Sequence, residues 1–203
     1  VYNCKPAIVT GNKVTENTTN AMSKGMYIYD CDGNSSGERT LIANNMVKAY
    51  GKAIELYSTG YADIYYNTLI NTYTSASTSY GTLYINQPSE MNVKNNIITN
   101  TSGGRLISKS NSSNLSFDYN MYYGGSTSYG FYSNNNPSVN GDFEDWQAAG
   151  PDANGVLQDP QFYAHGDGFH LGTTNDLATP LTAVTVDYDG EPWDETTPDI
   201  GAD

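Results

Sequence analysis

The segment Val93-Lys-Asn-Asn96-Ile-Ile98 carries an apolar residue, an asparagine three positions later and a second apolar residue two positions after that. Four more segments repeat this pattern: Val9-Thr-Gly-Asn12-Lys-Val14, Ile42-Ala-Asn-Asn45-Met-Val47, Ile64-Tyr-Tyr-Asn67-Thr-Leu69 and Phe117-Asp-Tyr-Asn120-Met-Tyr122. Successive asparagines are 33, 22, 29 and 24 residues apart. A repeat of about two dozen residues, varied by insertions, is typical of a solenoid.

A second short strand precedes each repeat, and its last inward apolar residue usually lies eight positions before the repeat begins. These strands contain Met26-Tyr-Ile28, Ile54-Glu-Leu56, Leu83-Tyr-Ile85, Leu106-Ile107 and Tyr129-Gly-Phe131. Two coils depart from the rule: the step from Ile28 to Ile42 is 14 residues, and in the fourth coil the rule places Lys109 inward. Short alternating strands without helical periodicity predict an all-β chain.

Stacked parallel coils place equivalent residues in columns about 4.8 Å apart. The five repeat asparagines then form one column. The backbone of each asparagine adopts a left-handed turn conformation, and its side-chain amide bonds along the stack. The alternative is that they mark independent turns of an antiparallel sandwich. Five copies with fixed apolar flanks favour the column. We therefore predict a parallel β-helix of about five coils over residues 1–136, with residues 137–203 as an irregular cap of the same domain.

The two cysteines occupy equivalent positions, because aligning Val1 with Ile28 also aligns Cys4 with Cys31. Two interpretations remain open: a pair of buried thiols that pack as small apolar groups, or a disulfide between neighbouring coils. Neither makes a cysteine catalytic, since no histidine lies near them in sequence or in the predicted columns.

Composition limits the partners of this chain. It has 203 residues, with 9 basic and 22 acidic side chains and a formal net charge of −13. That charge argues against nucleic acid and against an anionic membrane surface. No apolar run is long enough for a membrane span. The chain opens at Val1 inside a strand-like segment, so we expect it to be a mature or trimmed part of a longer protein.

The repeat stops near Pro137, and residues 142–150 predict a short helix with acidic residues in its first turn and a glycine stop. The tail then carries Trp146-Gln-Ala-Ala-Gly150-Pro-Asp152, Asp159-Pro-Gln-Phe162, Phe169-His-Leu171, Asp187-Tyr-Asp-Gly190-Glu-Pro192 and Asp199-Ile-Gly201-Ala. This tail resembles the C-terminal end of extracellular right-handed parallel β-helix proteins, the pectate-lyase-like proteins with a choice-of-anchor Q domain. The run Thr179-Pro-Leu-Thr-Ala183 and the Trp193 that follows Pro192 depart from the usual pattern of that family.

The resemblance implies a right-handed β-helix that is secreted or displayed at the cell surface. The family includes polysaccharide lyases, glycoside hydrolases and proteins without known activity, and the tail does not choose among them. We expect a protein that engages carbohydrate, as part of a degrading enzyme or of a glycan-binding protein. The alternative is a structural adhesin or fibre-forming protein without catalysis, with end-to-end contacts to further coils or another chain.

The predicted register identifies the outward side chains, in three adjacent columns. They are Tyr27, Glu55, Tyr84, Ser108 and Gly130; then Tyr2, Tyr29, Tyr57, Asn86, Ser110 and Tyr132; then Asn3, Asp30, Ser58, Gln87, Asn111 and Ser133. Tyrosine rings with amides beside them suit a sugar-binding groove. We predict substrate contacts from Tyr27, Tyr29, Tyr57, Tyr84, Asn86 and Gln87. Ordinary cross-strand packing of tyrosines is the alternative.

Two acidic side chains are candidate catalytic groups. Glu55 is the one acid of its column and Asp30 lies on the neighbouring coil, so the two could serve as acid and base in glycoside hydrolysis. Solvated surface acids are the alternative. A lyase acting on uronic acids would need a basic cluster, and none appears in the sequence. If the protein is an enzyme, we expect part of its site to lie upstream of this chain.

The run Asp30-Cys-Asp32-Gly-Asn34 offers oxygen ligands for calcium, although it lacks the spacing of a complete calcium loop. Acids of the tail, such as Asp187 and Asp189, are interpreted as caps of turns. His165 and His170 are interpreted as turn and packing residues rather than as metal ligands.

Overall fold

A computed structural model describes residues 1–33, 37–110, 114–163 and 168–203. Its elements follow in chain order. The strands are β1 (Ile8–Thr10), β2 (Lys13–Thr15), β3 (Lys24–Tyr29), β4 (Thr40–Ala43), β5 (Met46–Ala49), β6 (Lys52–Tyr57), β7 (Tyr61–Tyr65), β8 (Thr68–Asn71), β9 (Leu83–Asn86), β10 (Glu90–Lys94), β11 (Ile97–Asn100), β12 (Ile107–Ser110), β13 (Leu115–Asp118), β14 (Met121–Tyr123), β15 (Phe131–Ser133) and β16 (Val156–Leu157). A 3-10 helix (Pro137–Val139) and helix α1 (Phe143–Ala148) lie between β15 and β16.

The strands form three sheets, and all named strand pairs are parallel. Sheet 1 has the order β1-β4-β7-β10-β13, sheet 2 has β2-β5-β8-β11-β14-β16, and sheet 3 has β3-β6-β9-β12-β15. Each coil contributes one strand to each sheet, which confirms the predicted parallel β-helix of about five coils. Each sequence repeat spans two of these strands, because its asparagine lies at the corner between sheets 1 and 2.

The predicted asparagine column is confirmed as a hydrogen-bonded ladder. In all four steps, from Asn12 through Asn45, Asn67 and Asn96 to Asn120, the side-chain Nδ2 donates to Oδ1 of the next asparagine at 2.9 Å. The backbone N–H of the donor residue reaches the same oxygen at 3.0–3.1 Å. All but Asn12 are fully buried. The ladder therefore satisfies the polar groups of the corner inside the core.

The left-handed residue of this corner is the one before the ladder asparagine, so that detail of the prediction is wrong. Positive φ values of 51–66° occur at Gly11, Asn44, Tyr66, Asn95 and Tyr119. The turn at this position bends the chain from sheet 1 into sheet 2 and directs the following side chain inward. The ladder asparagines can then keep ordinary backbone angles while their amides bond along the stack.

The register is confirmed in the first four coils and wrong in the fifth. Strand pairing aligns the first column as far as Ser108 and the second as far as Ser110. Tyr132, however, pairs with Ser108 rather than Ser110, and Gly130 precedes β15. The fifth coil differs because Val139, eight positions after Phe131, does not begin a sixth repeat. That residue lies in the 3-10 helix and not in a strand of sheet 1.

Aromatic residues close the carboxyl-terminal end of the coil stack. Helix α1, whose N-cap is Asp142, confirms the predicted helix and buries Trp146 completely. The indole packs edge-on to Phe117 at 5.1 Å between ring centroids and stacks on Phe131 at 5.0 Å. Lys109 points inward as the eight-residue rule required, with its Nζ 5.6 Å from the Trp146 ring. Burial lowers the pKa of Lys109.

Both cysteines are free thiols at the amino-terminal end of the core. Their alignment is confirmed, since Tyr2 bridges to Tyr29 in parallel register. Cys31 belongs to the buried core, and Cys4 packs against that core. Burial raises the pKa of the Cys31 thiol. Of the two interpretations, the structure shows packed thiols and not a disulfide.

Candidate functional site

Tyrosine rings stack along the outer face of sheet 3. Tyr29 and Tyr57 lie nearly parallel, with centroids 5.6 Å apart and an interplanar angle of 18°. The Tyr2 ring packs on Tyr29 with centroids 5.7 Å apart and an interplanar angle of 44°, and Tyr2 is 61% exposed. Asn86 continues the line on the next coil. We call Tyr2, Tyr29, Tyr57 and Asn86 the tyrosine column. Because neighbouring rings cover each other, the column presents ring edges, hydroxyls and the outer face of Tyr2.

The neighbouring column is more buried than its outward register suggests. Glu55 is 6% exposed, and its Oε2 accepts from Lys52 Nζ at 2.8 Å and lies 3.1 Å from Lys24 Nζ. The two ammonium groups also lie over aromatic rings: Lys24 is 3.8 Å from the Tyr27 centroid and Lys52 is 4.2 Å from that of Tyr84. These cation–π contacts and ion pairs account for a buried carboxylate here.

The segment between β8 and β9 lies over this part of sheet 3. Ser108 Oγ donates to the carbonyl oxygen of Thr78, and Arg105 Nη2 donates to that of Ala76 at 2.7 Å. Tyr80 adds its ring, 5.8 Å from Lys52 Nζ. Burial lowers the pKa of Arg105. Tyr84 of β9 and Ser108 of β12 are therefore buried beneath this segment, whereas Tyr29, Tyr57 and Asn86 are half-buried.

The first four members of the third predicted column form a second corner and not an outward strand face, and Ser133 is a buried residue of β15. These four members have left-handed φ values of 46–56°: Asn3, Asp30, Ser58 and Gln87. Asn111 lies outside the described residues. This geometry explains Asp30 as a turn residue, three positions beyond the residue that pairs with Glu55. Glu55 instead faces two lysines. The catalytic role of either acid stays a prediction.

In the predicted calcium run, the carboxylate of Asp32 is engaged by the backbone of the next coil. Asp32 Oδ1 accepts the backbone N–H of Gly60, so this carboxylate closes the turn of the next coil. Asn34 lies outside the described residues. Elsewhere in the described ranges, one histidine and two aspartates lie close enough to share a metal ion: His170, Asp189 and Asp203. Sequence reasoning missed this group because its members come from separate turns of the cap.

Sequence reasoning also missed the lysines that neutralise Glu55. A signal existed, since Lys24 and Lys52 each stand three positions before an outward residue on adjacent coils. Strict strand alternation would put these lysines on the face opposite to Tyr27 and Glu55. Both lysines, however, are the first residues of their strands. The covering segment 72–82 gave no comparable signal, because its loop composition does not show where it packs.

Comparison with protein-family models, with curated proteins and with solved structures finds no match for this chain. Within the described part of the chain, no helix has the length and apolar character to cross a bilayer. The strand pairing and the ladder nevertheless define the class: this chain is a parallel β-helix protein.

Proposed function

We propose that this protein binds carbohydrate at the tyrosine column. The observation that carries the proposal is the line of Tyr2, Tyr29 and Tyr57 on the outer face of sheet 3, where Tyr2 is exposed and the other two rings are half-buried. Residues repeated along parallel strands about 4.8 Å apart suit an extended polymer better than a compact ligand. Gln87 lies exposed beside the column and adds an amide for sugar hydroxyls.

The chemistry of the column favours a neutral glycan. Tyrosine hydroxyls and amides can exchange hydrogen bonds with sugar hydroxyls, and the open face of Tyr2 can pack on the apolar face of a pyranose. The nearby lysines are already paired with Glu55. An anionic polymer would meet a chain of net charge −13 without a free basic cluster in this region.

The tail resemblance supports a finer version of the proposal. It favours secretion or display at the cell surface, and a role as part of a polysaccharide lyase or glycoside hydrolase. In that version Glu55 and Asp30 remain the candidate catalytic acids, and calcium could use Asp30 and Asp32. Reducing-sugar release from neutral and acidic polysaccharides tests it. A Glu55→Gln variant with undiminished release would exclude the carboxylate mechanism.

A glycan array followed by titration calorimetry tests the binding proposal. We expect Tyr57→Ala to weaken binding of the best glycan about tenfold, because a buried ring contact is lost from the middle of the column. Tyr163→Ala is the matched control, since Tyr163 is 56% exposed but lies in the cap. Equal affinity of both variants, or no bound glycan at all, would refute the proposal.

A second candidate function is end-to-end association, and the amino-terminal coil favours it. In the described ranges no strand pairs with the outer edge of β1 or β2. Ile8 is 75% exposed there, and no described group donates to Asn12 Oδ1. A further coil with an asparagine at the same corner would continue the ladder and cover this edge.

Sedimentation velocity across a hundredfold concentration range tests this second candidate. If the edge associates, the sedimentation coefficient rises with concentration, and Ile8→Lys abolishes the rise by placing a charge on the open edge. A concentration-independent monomer would speak against it. Because Ile8 is remote from Tyr57, the two variants separate loss of association from loss of glycan binding.

A further inference from the structure

We propose that His170, Asp189 and Asp203 form a site for a divalent transition ion such as Zn²⁺, which the sequence interpretation of His170 as a packing residue did not anticipate. His170 Nδ1 lies 2.8 Å from Asp203 Oδ1 and 3.7 Å from Asp189 Oδ2. All three candidate ligand atoms lie within 4.8 Å of one another. They belong to three separate segments of the cap.

These separations match those of ligands that share one metal ion. Nitrogen and oxygen ligands about 2.0–2.1 Å from zinc lie roughly 3–3.5 Å from each other in tetrahedral geometry. The observed values of 2.8 and 3.7 Å bracket that range. Small rotations of exposed Asp189 and half-buried His170 are therefore sufficient, and water can complete the coordination.

The three ligands are held by different contacts. Asp203 is fixed by its second oxygen, Oδ2, which accepts the Leu171 N–H at 2.7 Å and leaves Oδ1 directed at His170. Asp189 lies in the turn closed by the Gly190 N–H, which donates to Asp187 O. The backbone N–H of Tyr188 donates to Ala202 O at 2.8 Å, which holds that turn beside Asp203. The frame thus exists without the ion.

The charge around the site also favours a cation. A cleft of about 340 Å³ next to His170 is lined by four carboxylates, those of Asp187, Glu191, Asp199 and Asp203. Their mutual repulsion is relieved by a bound dication. The imidazole distinguishes this site from a calcium site, because calcium takes oxygen ligands whereas zinc accepts nitrogen and carboxylate together.

The site would act as a cross-link within the cap. A single ion would join the segment around His170 to the turn at Asp189 and to the chain at Asp203. Binding needs an unprotonated Nδ1, so any proton on that atom leaves for solvent as the metal–nitrogen bond forms.

Titration calorimetry and thermal unfolding with ZnCl₂ test the proposal. We expect one Zn²⁺ per chain, a higher melting temperature, and affinity at least about tenfold lower in both His170→Gln and Asp189→Asn. Asp189→Asn guards against misfolding, because Asp189 has a 54% exposed side chain. Glu195→Gln, which removes an exposed cap charge elsewhere, should bind as the unaltered protein does.

Cobalt spectroscopy distinguishes this site from the free thiols of Cys4 and Cys31. Co²⁺ bound at nitrogen and oxygen ligands should lack the intense near-ultraviolet band of thiolate coordination. The proposal is overturned by absent Zn²⁺ binding, by unchanged affinity in folded His170→Gln, by a thiolate band, or by Ca²⁺ binding as tightly as Zn²⁺.

Discussion

At the residue scale, the asparagine ladder has a direction. In every bond between ladder asparagines Nδ2 donates toward the carboxyl end of the stack, while from Asn45 onward its second hydrogen bonds a backbone carbonyl of the preceding coil. The bonds between side chains therefore leave an acceptor at Asn12 and a donor at Asn120. Asp152 receives that last donor, with Asn120 Nδ2 2.8 Å from its Oδ2. Tyr122 Oη donates to the same oxygen at 2.6 Å. A carboxylate only accepts hydrogen bonds, so it ends the ladder without leaving an unpaired donor.

Replacing a central member of the ladder should cost far more than replacing its first member. Asn67→Ala removes the oxygen that accepts from the backbone and side chain of Asn45, and leaves buried donors unpaired. We expect the free energy of unfolding to fall by about 3 kcal/mol or more. Asn12→Ala, at the exposed end, should cost at most about 1 kcal/mol. Urea unfolding of both variants checks this, and similar losses would contradict the prediction.

Asp152 should make stability depend on pH. Burial raises the pKa of its carboxyl to about 6, despite the donors that favour the charged form. Unfolded aspartate titrates near ~4, so the native state holds the proton more tightly between these values. This group's contribution to stability is therefore greatest below about pH 4, falls as the pH rises to about 6, and stays lower above it.

The variant Asp152→Asn should remove this dependence, since an amide does not titrate. We expect the free energy of unfolding of the unaltered protein to lose about 2 kcal/mol more than that of the variant between pH 4 and pH 7. Urea titrations at four pH values measure the difference directly. Parallel pH profiles for the two proteins would show that the carboxyl is not titrating as the structure implies.

At the element scale, helix α1 acts as a lid on the last coil. Six residues are too few for a stable isolated helix, so its stability comes from packing. Trp146 supplies that packing, with Phe117 and Phe131 beneath it. Composition predicted the helix from its acidic first turn and glycine stop. It could not predict which aromatic rings meet, because these come from β13 and β15.

Loss of the indole should open this end of the core. We expect Trp146→Ala to lower the free energy of unfolding by about 3–5 kcal/mol, because a large buried side chain is replaced by a cavity. Glu144→Ala, exposed on the same helix, should change it by less than about 0.5 kcal/mol. Chemical denaturation and binding of an apolar dye report both effects. A small loss for Trp146→Ala would mean that the helix does not seal the core.

At the scale of the whole molecule, the coils form a stack in which each touches chiefly its neighbours, so stability should vary along the axis. The carboxyl end is covered by β16 and α1, whereas β1 and β2 lack a partner on one side within the described residues. Contacts between distant parts of the chain come from the cap. Asn44 Nδ2, for example, donates to Val186 O at 2.6 Å.

Hydrogen exchange should reveal this gradient. We expect amides of β2 to exchange at least about a hundredfold faster than those of β8 and β11, because one edge of β2 is open to solvent and local opening there disrupts one neighbour only. Exchange monitored by mass spectrometry on peptides covering these strands provides the measurement. Uniform protection along the axis would indicate that the first coil is covered, as in end-to-end association.

The sequence alone determined the parts of this protein that repeat: the coil, the ladder of asparagines and the alignment of tyrosines in the first four coils. A repeated pattern predicts which residues are neighbours in space, because equivalent positions of successive coils stack in a regular solenoid. The tertiary structure decided what occurs once. It decided that Asp152 ends the ladder, that two lysines surround Glu55, and that His170 meets two acids. Those contacts join segments whose spacing follows no period, so only the folded chain brings them together.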